Sequence, residues 1–170
     1  KMKKAAEVLS EFGIEYKAFV LSAHRAGELL HETVKQVEQD GFEVIIAGAG
    51  LAAALPGVIA GITTIPVIGV PLECISEKSN GLGGLDALLS IVQMPPQIPV
   101  ATVGIGNAKN AGYLAVAAQR EPSYAVGGVA VLGLELEQVE PGVEKEIEFL
   151  HSYAEELGEK EMSSFVKEHQ

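Results

Sequence analysis

Positive charge is scarce in this sequence. Twelve Lys and Arg stand against 23 Asp and Glu in 170 residues, a net charge of −11. Such a surface repels polyphosphate, which excludes nucleic-acid binding as the main role. Cysteine is nearly absent: Cys74 stands alone, so no intrachain disulfide can form, as expected for a reducing cytoplasm. The opening Lys1-Met2-Lys3-Lys4-Ala5-Ala6-Glu7 lacks the apolar run of a secretion signal. The four histidines have no metal-ligand spacing with Cys74 or with each other, so no metal site is expected.

Apolar side chain, by contrast, is plentiful. At 48% hydrophobic residues the chain can offset the entropy of ordering, which excludes disorder for most of its length. The length suits one compact domain. Residues 41–120 carry only seven charges, and residues 44–72 carry none. Length alone would make the latter a membrane span. Pro56, Pro66, Pro71 and five glycines interrupt it. It reads instead as strand, helix, strand, buried on both sheet faces, and no membrane contact is expected. Residues 134–170 hold 11 acids against three bases. This contrast divides the chain into an α/β domain over 1–120 and, over 121–170, a strand with an acidic helical extension packed on it.

The patterning alternates. Helices are predicted over 2–11, 27–39, 51–62, 85–92 and 107–119, and extended segments over 14–21, 44–47, 66–70, 100–104 and 128–132. Residues 73–84 read as a polar, glycine-rich loop. Pro141 marks a further helix start, with Val143, Ile147, Leu150 and Leu157 as its apolar stripe. Strand and helix at this spacing imply a parallel sheet covered on both faces, a three-layer α/β/α sandwich. Ligands of such sheets bind beyond the carboxyl ends of the strands.

Two segments lie there. Ser22-Ala23-His24-Arg25 follows a strand and precedes a helix. Histidine moves protons near neutral pH, and arginine is a fixed cation for phosphate or carboxylate. The competing reading is a helix start capped by Ser22, with His24 and Arg25 merely exposed. The second segment runs from Ala47 through Gly48, Ala49, Gly50, Leu51 and Leu55 to Gly57. Its glycines permit close approach of a ligand to the backbone. It formally matches a dinucleotide fingerprint whose last glycine is alanine, but one match of this kind is equally explained by close helix–sheet packing. Cys74 has no neighbouring base to make it a nucleophile. Met94, in Ser90-Ile91-Val92-Gln93-Met94-Pro95, reads as core packing.

Taken in order, Ser22–Arg25, 45–57, 66–71, Ser90–Pro95 and the run from Pro99-Val100-Ala101-Thr102 through Asn107 to Gly112 resemble one family. It is the 5-(carboxyamino)imidazole ribonucleotide mutase and aminoimidazole ribonucleotide carboxylase family of purine biosynthesis. The resemblance runs over about 2–119. It implies a flavodoxin-like fold, a homo-octamer, an imidazole ribonucleotide substrate, and no metal or organic cofactor. It also implies that a carboxylate moves from the exocyclic nitrogen of the substrate to ring C4. His24 matches the family's catalytic histidine and Arg25 its phosphate-holding arginine, with Ser22 beside them. Gly48, Ala49, Gly50 and Leu55 match the loop that wraps the imidazole and the carboxylate.

The sequence departs from the pattern at the site. The family's strand and Gly-Ser-x-Ser-Asp phosphate loop do not precede residue 2. Gly-Gly-Ala-Ala-His-Leu-Pro-Gly becomes Gly50-Leu51-Ala52-Ala53-Ala54-Leu55-Pro56-Gly57, so a bulky residue replaces one glycine and Ala54 replaces a histidine. Thr-Pro after the His-Arg pair becomes Ala26-Gly27, residues 75–83 form an extended loop, and Ala87 replaces a serine. These departures leave open an alternative, a weak or inactive paralogue with an assembly or regulatory role. They also raise a topological expectation: residues 128–158 supply the missing strand, loop and helix in permuted order. In that case Val129-Ala130-Val131-Leu132 must join the parallel sheet.

Overall fold

The uncharged runs and helical stripes resolve into alternating elements in a computed structural model, which describes residues 1–76, 79–119 and 128–133. All of these lie in one compact unit, Lys1–Glu135. The elements in chain order are α1 (Lys3–Glu11), β1 (Tyr16–Val20), α2 (Gly27–Gln39), β2 (Val44–Gly50), α3 (Leu55–Ala60), β3 (Val67–Leu72), β4 (Ile75–Ser76), β5 (Ser79–Asn80), α4 (Leu85–Val92), β6 (Ala101–Thr102), α5 (Ala108–Ala118) and β7 (Val129–Gly133).

The main sheet has the order β1-β7-β2-β3-β6, with every pair parallel. The last strand therefore fills the centre. Tyr16 pairs with Val129 on one side of β7, and Val44 pairs with the same residue on the other. The expectation of a permuted strand is met as far as Gly133. The acidic segment and the helix expected after it lie outside the described residues.

Alternate residues of the central strands feed two cores. Ile45, Ala47, Ala130 and Leu132 meet Leu30, Val34, Leu55, Ile59 and Ile91, from α2, α3 and α4. Val44, Ile46, Ile68 and Val131 meet Met2, Ala5, Leu9, Ala108 and Ala111, from α1 and α5. Three layers result, and central strands with both faces covered read as unbroken apolar runs. The path steps across the sheet in one direction through α2, α3 and α4, then returns to β7 through α5 on the opposite face. Reversing both direction and face preserves the hand of the crossover. No helix among the described residues is long and apolar enough to cross a membrane.

Three differences from the sequence reading bear on the site, besides the shorter β1 and β6. β2 runs on through Gly50, because β3 pairs with it as far as Leu72. Helix α3 starts at Leu55 rather than at residue 51, because the backbone of Leu51 is left-handed. Pro56 then occupies the first helical turn, where its missing N–H costs nothing. Within 73–84, β4 and β5 pair as a short antiparallel ladder.

Candidate active site at the carboxyl edge of the sheet

Because all five strands of the main sheet are parallel, the segments that leave their carboxyl ends share one edge. The turn after β1 presents side chains. Ser22 is buried, and its Oγ accepts from the Arg25 backbone N–H at 3.3 Å and from Arg25 Nε at 3.4 Å. The Ala26 N–H closes the turn by donating to the Ser22 carbonyl at 2.9 Å. Ser22 thus does not cap α2. Ala26 holds that position, with no side-chain cap. Ser22 instead tethers Arg25, while His24 and Arg25 both remain exposed. A planar guanidinium held at the mouth of an edge is suited to an anionic group. Among the described residues His24 makes no side-chain hydrogen bond.

The turn after β2 is built from missing and small side chains. Gly48, Ala49 and Gly50 are buried in the strand itself. A Cβ on Gly48 would collide with Met2 Sδ, so this glycine lets α1 close on the sheet. A Cβ on Gly50 would collide with Cys74 Sγ and stand 3.0 Å from the Leu72 carbonyl oxygen. Leu51 then adopts φ +54°, a conformation that costs a residue with a Cβ about 1–2 kcal/mol. Two tight closures follow, Ala53 N–H to Leu51 O at 2.8 Å and Ala54 N–H to Ala52 O at 2.7 Å. Leu55, the first residue of α3, is buried in the core, so only its backbone could face a ligand.

The remaining carboxyl ends frame the edge. After β3, Glu73 is exposed and Cys74 is buried. After β6, the Gly106 N–H donates to the Pro71 carbonyl at 2.8 Å, and Asn107 caps α5 by accepting from the Asn110 N–H at 3.2 Å. No cluster of three His, Cys, Asp or Glu able to hold a metal occurs among the described residues.

The polar turn with His24 and the small-residue turn after Gly50 thus lie on the same edge, at strands flanking β7. Sequence reasoning identified both but missed the contact of Gly50 with Cys74. That contact depends on the register of Gly50 with Leu72, which no local motif encodes.

The chain is similar to known proteins over most of this unit. A family model described as AIR carboxylase matches residues 1–124. An N5-carboxyaminoimidazole ribonucleotide mutase of Pyrococcus abyssi is 62% identical over 115 residues, which cover 68% of this chain and 63% of the relative. The protein of that name in Aquifex aeolicus is 59% identical over 115 residues, covering 68% of this chain and 66% of the relative. A chloroplastic phosphoribosylaminoimidazole carboxylase of Vigna aconitifolia is 50% identical over 115 residues, 68% of this chain and 20% of that longer protein. The match thus spans just under two thirds of the length of the two mutases.

Proposed function

Since the chain belongs to the AIR carboxylase family, we propose that it converts 5-(carboxyamino)imidazole ribonucleotide to 4-carboxy-5-aminoimidazole ribonucleotide. The observation that carries this reading is the placement of two unlike turns on one sheet edge. One offers a proton-transferring and an anion-binding side chain. The other offers a close-packed, apolar wall.

The chemistry needs both. The carbamate C–N bond breaks and releases carbon dioxide, and the exocyclic nitrogen takes up a proton. Ring C4 then bonds to that carbon, and C4 loses its proton. One proton is gained and one lost, so a single shuttling group suffices, and His24 fills that role. Arg25, tethered by Ser22, holds the substrate phosphate. The Gly48, Ala49 and Gly50 strand end and the Leu55 helix start bound the ring and the carbon dioxide. A small dry space keeps the released molecule near C4 and out of water.

The reading extends to assembly. Leu85, Leu89 and Val92 of α4 are about half exposed, at 48%, 47% and 51%. Their i, i+4, i+7 spacing makes one apolar stripe, which suits subunit contacts in a homo-octamer.

The test is interconversion of the two ribonucleotides by this chain, with His24→Asn as control. Turnover that falls by about 10²- to 10⁴-fold in the variant, with the melting temperature unchanged, is the expected result. Turnover indifferent to the substitution, or none in the unaltered chain, overturns the reading.

A further inference from the structure

Leu51 is a half-buried leucine in a left-handed conformation, on the edge where the ligand is placed. Leucine does not choose that conformation by itself. Its side chain packs across to a different segment. A Cβ added to Gly81 would stand 3.2 Å from Leu51 Cδ2 and 2.6 Å from the Cys74 carbonyl oxygen. The tip of the Leu51 side chain thus lies against Gly81, where a side chain would meet the Cys74 backbone first. The segment is pinned further along, too. The Leu82 N–H donates to Asp86 Oδ2 at 3.4 Å, and the Leu85 N–H donates to the Leu82 carbonyl at 3.2 Å. Beneath, Gly50 accommodates Cys74. Two glycines, one leucine and one cysteine thus interlock the end of β2 with the segment that joins β3 to α4.

We propose that Leu51 is a substrate-positioning residue: seated on Gly81, it fixes the wall of the site on the β3 side and confines the ring of the ligand to the side of β7. This rests on the ribonucleotide reading above. Leu51 has no group that can carry a proton or a charge, so its contribution is shape. An interaction of that kind is made equally to bound substrate and to transition state, and its loss raises KM with little change in kcat.

The experiment combines kinetics with amide hydrogen exchange on the full chain. Leu51→Ala keeps the Cβ and the turn but removes the atoms that reach Gly81. Leu51→Met restores their length. The expected result for Leu51→Ala is exchange at least about tenfold faster in peptides spanning 81–88. KM for the carbamate ribonucleotide rises about 5- to 30-fold, and kcat stays within about threefold. Leu51→Met recovers most of both. Unchanged exchange shows that there is no interlock and overturns the proposal. Faster exchange with unchanged KM overturns the positioning role and leaves a purely structural contact. An unaltered chain that neither turns over nor binds the ribonucleotide removes the functional reading and the positioning role with it, while the exchange rates still decide whether Leu51 holds the segment.

Discussion

Two pairs of glycines, one at each edge of the sheet, are used in opposite ways. At the amino edge, Gly13 and Gly41 follow the helices α1 and α2 at φ +67° and +81°, with nothing within 4 Å of where a Cβ would stand. Each helix ends the same way. The Ile14 N–H donates to the Leu9 carbonyl at 2.9 Å, and the Phe42 N–H to the Val37 carbonyl at 3.2 Å, the six-to-one closure of a left-handed stop. At the carboxyl edge, Gly48 and Gly50 have strand conformation and crowded surroundings, and the left-handed residue that follows them is Leu51. The first pair supplies a conformation and the second supplies space, although Gly106 after β6 and Gly128 before β7 show that neither use is confined to one edge. The first use is local and stabilises the fold. The second brings separate segments together, and a left-handed leucine follows directly on the edge proposed to hold the ligand.

That contrast is most open to attack at Gly50. Gly50→Ala drives a methyl group into Cys74 Sγ, with the Leu72 backbone oxygen 3.0 Å away. The sulfur can rotate aside but the carbonyl belongs to the β2–β3 ladder. We expect a loss of about 1–3 kcal/mol in chemical denaturation, typical of overpacking. Adding Cys74→Ala to the same chain should recover part of it. A double variant no more stable than Gly50→Ala would mean that the carbonyl, not the sulfur, sets the crowding.

Gly41→Ala sharpens the other half of the comparison. Space is open there, so the whole cost is conformational, about 1 kcal/mol. Urea denaturation should show a modest fall in midpoint with no change in slope, and turnover should be unaffected. A change in KM would show that the amino edge communicates with the site, and the division between the two edges would fail.

The same division explains what the sequence disclosed. Helix α2 is predicted to the residue, because its stripe of Leu30, Val34 and Val37 is a local signal. The Ser22–Arg25 turn is legible for the same reason: its chemistry sits in adjacent side chains. That β7 joins the parallel sheet is anticipated from an apolar run and a family resemblance; its central position is not, since which neighbours a strand takes is a non-local outcome. The start of α3 is misplaced because small apolar residues after Gly50 look helical in composition, while no local pattern marks the left-handed backbone of Leu51.

The smallest effect expected lies at the amino edge, in the pair of Lys17 and Asp40. Lys17 Nζ stands 3.2 Å from Asp40 Oδ2 and 5.7 Å from the centre of the Phe42 ring, and Gln36 Nε2 donates to Asp40 Oδ1 at 2.7 Å. Partial burial works to raise the Asp40 carboxyl, but the hydrogen bonds from Gln36 and Lys17 and the charge of Lys17 outweigh it, so its pKa falls below the usual value. A carboxylate with a lowered folded pKa stabilises the protein above its unfolded value, about 3.9, and loses that contribution as pH falls through the folded one. Asp40→Asn removes this contribution. The melting temperature of the unaltered chain should exceed that of the variant by a small margin at pH 7, and the margin should shrink steadily on acidification below about pH 4. Because the pair lies at the edge opposite the proposed site, the ratio of turnover between the two proteins should stay constant over the same pH range in which both remain folded. A ratio that moved with Asp40 ionisation would tie the amino edge to catalysis, which the open glycines and local helix stops of that edge argue against.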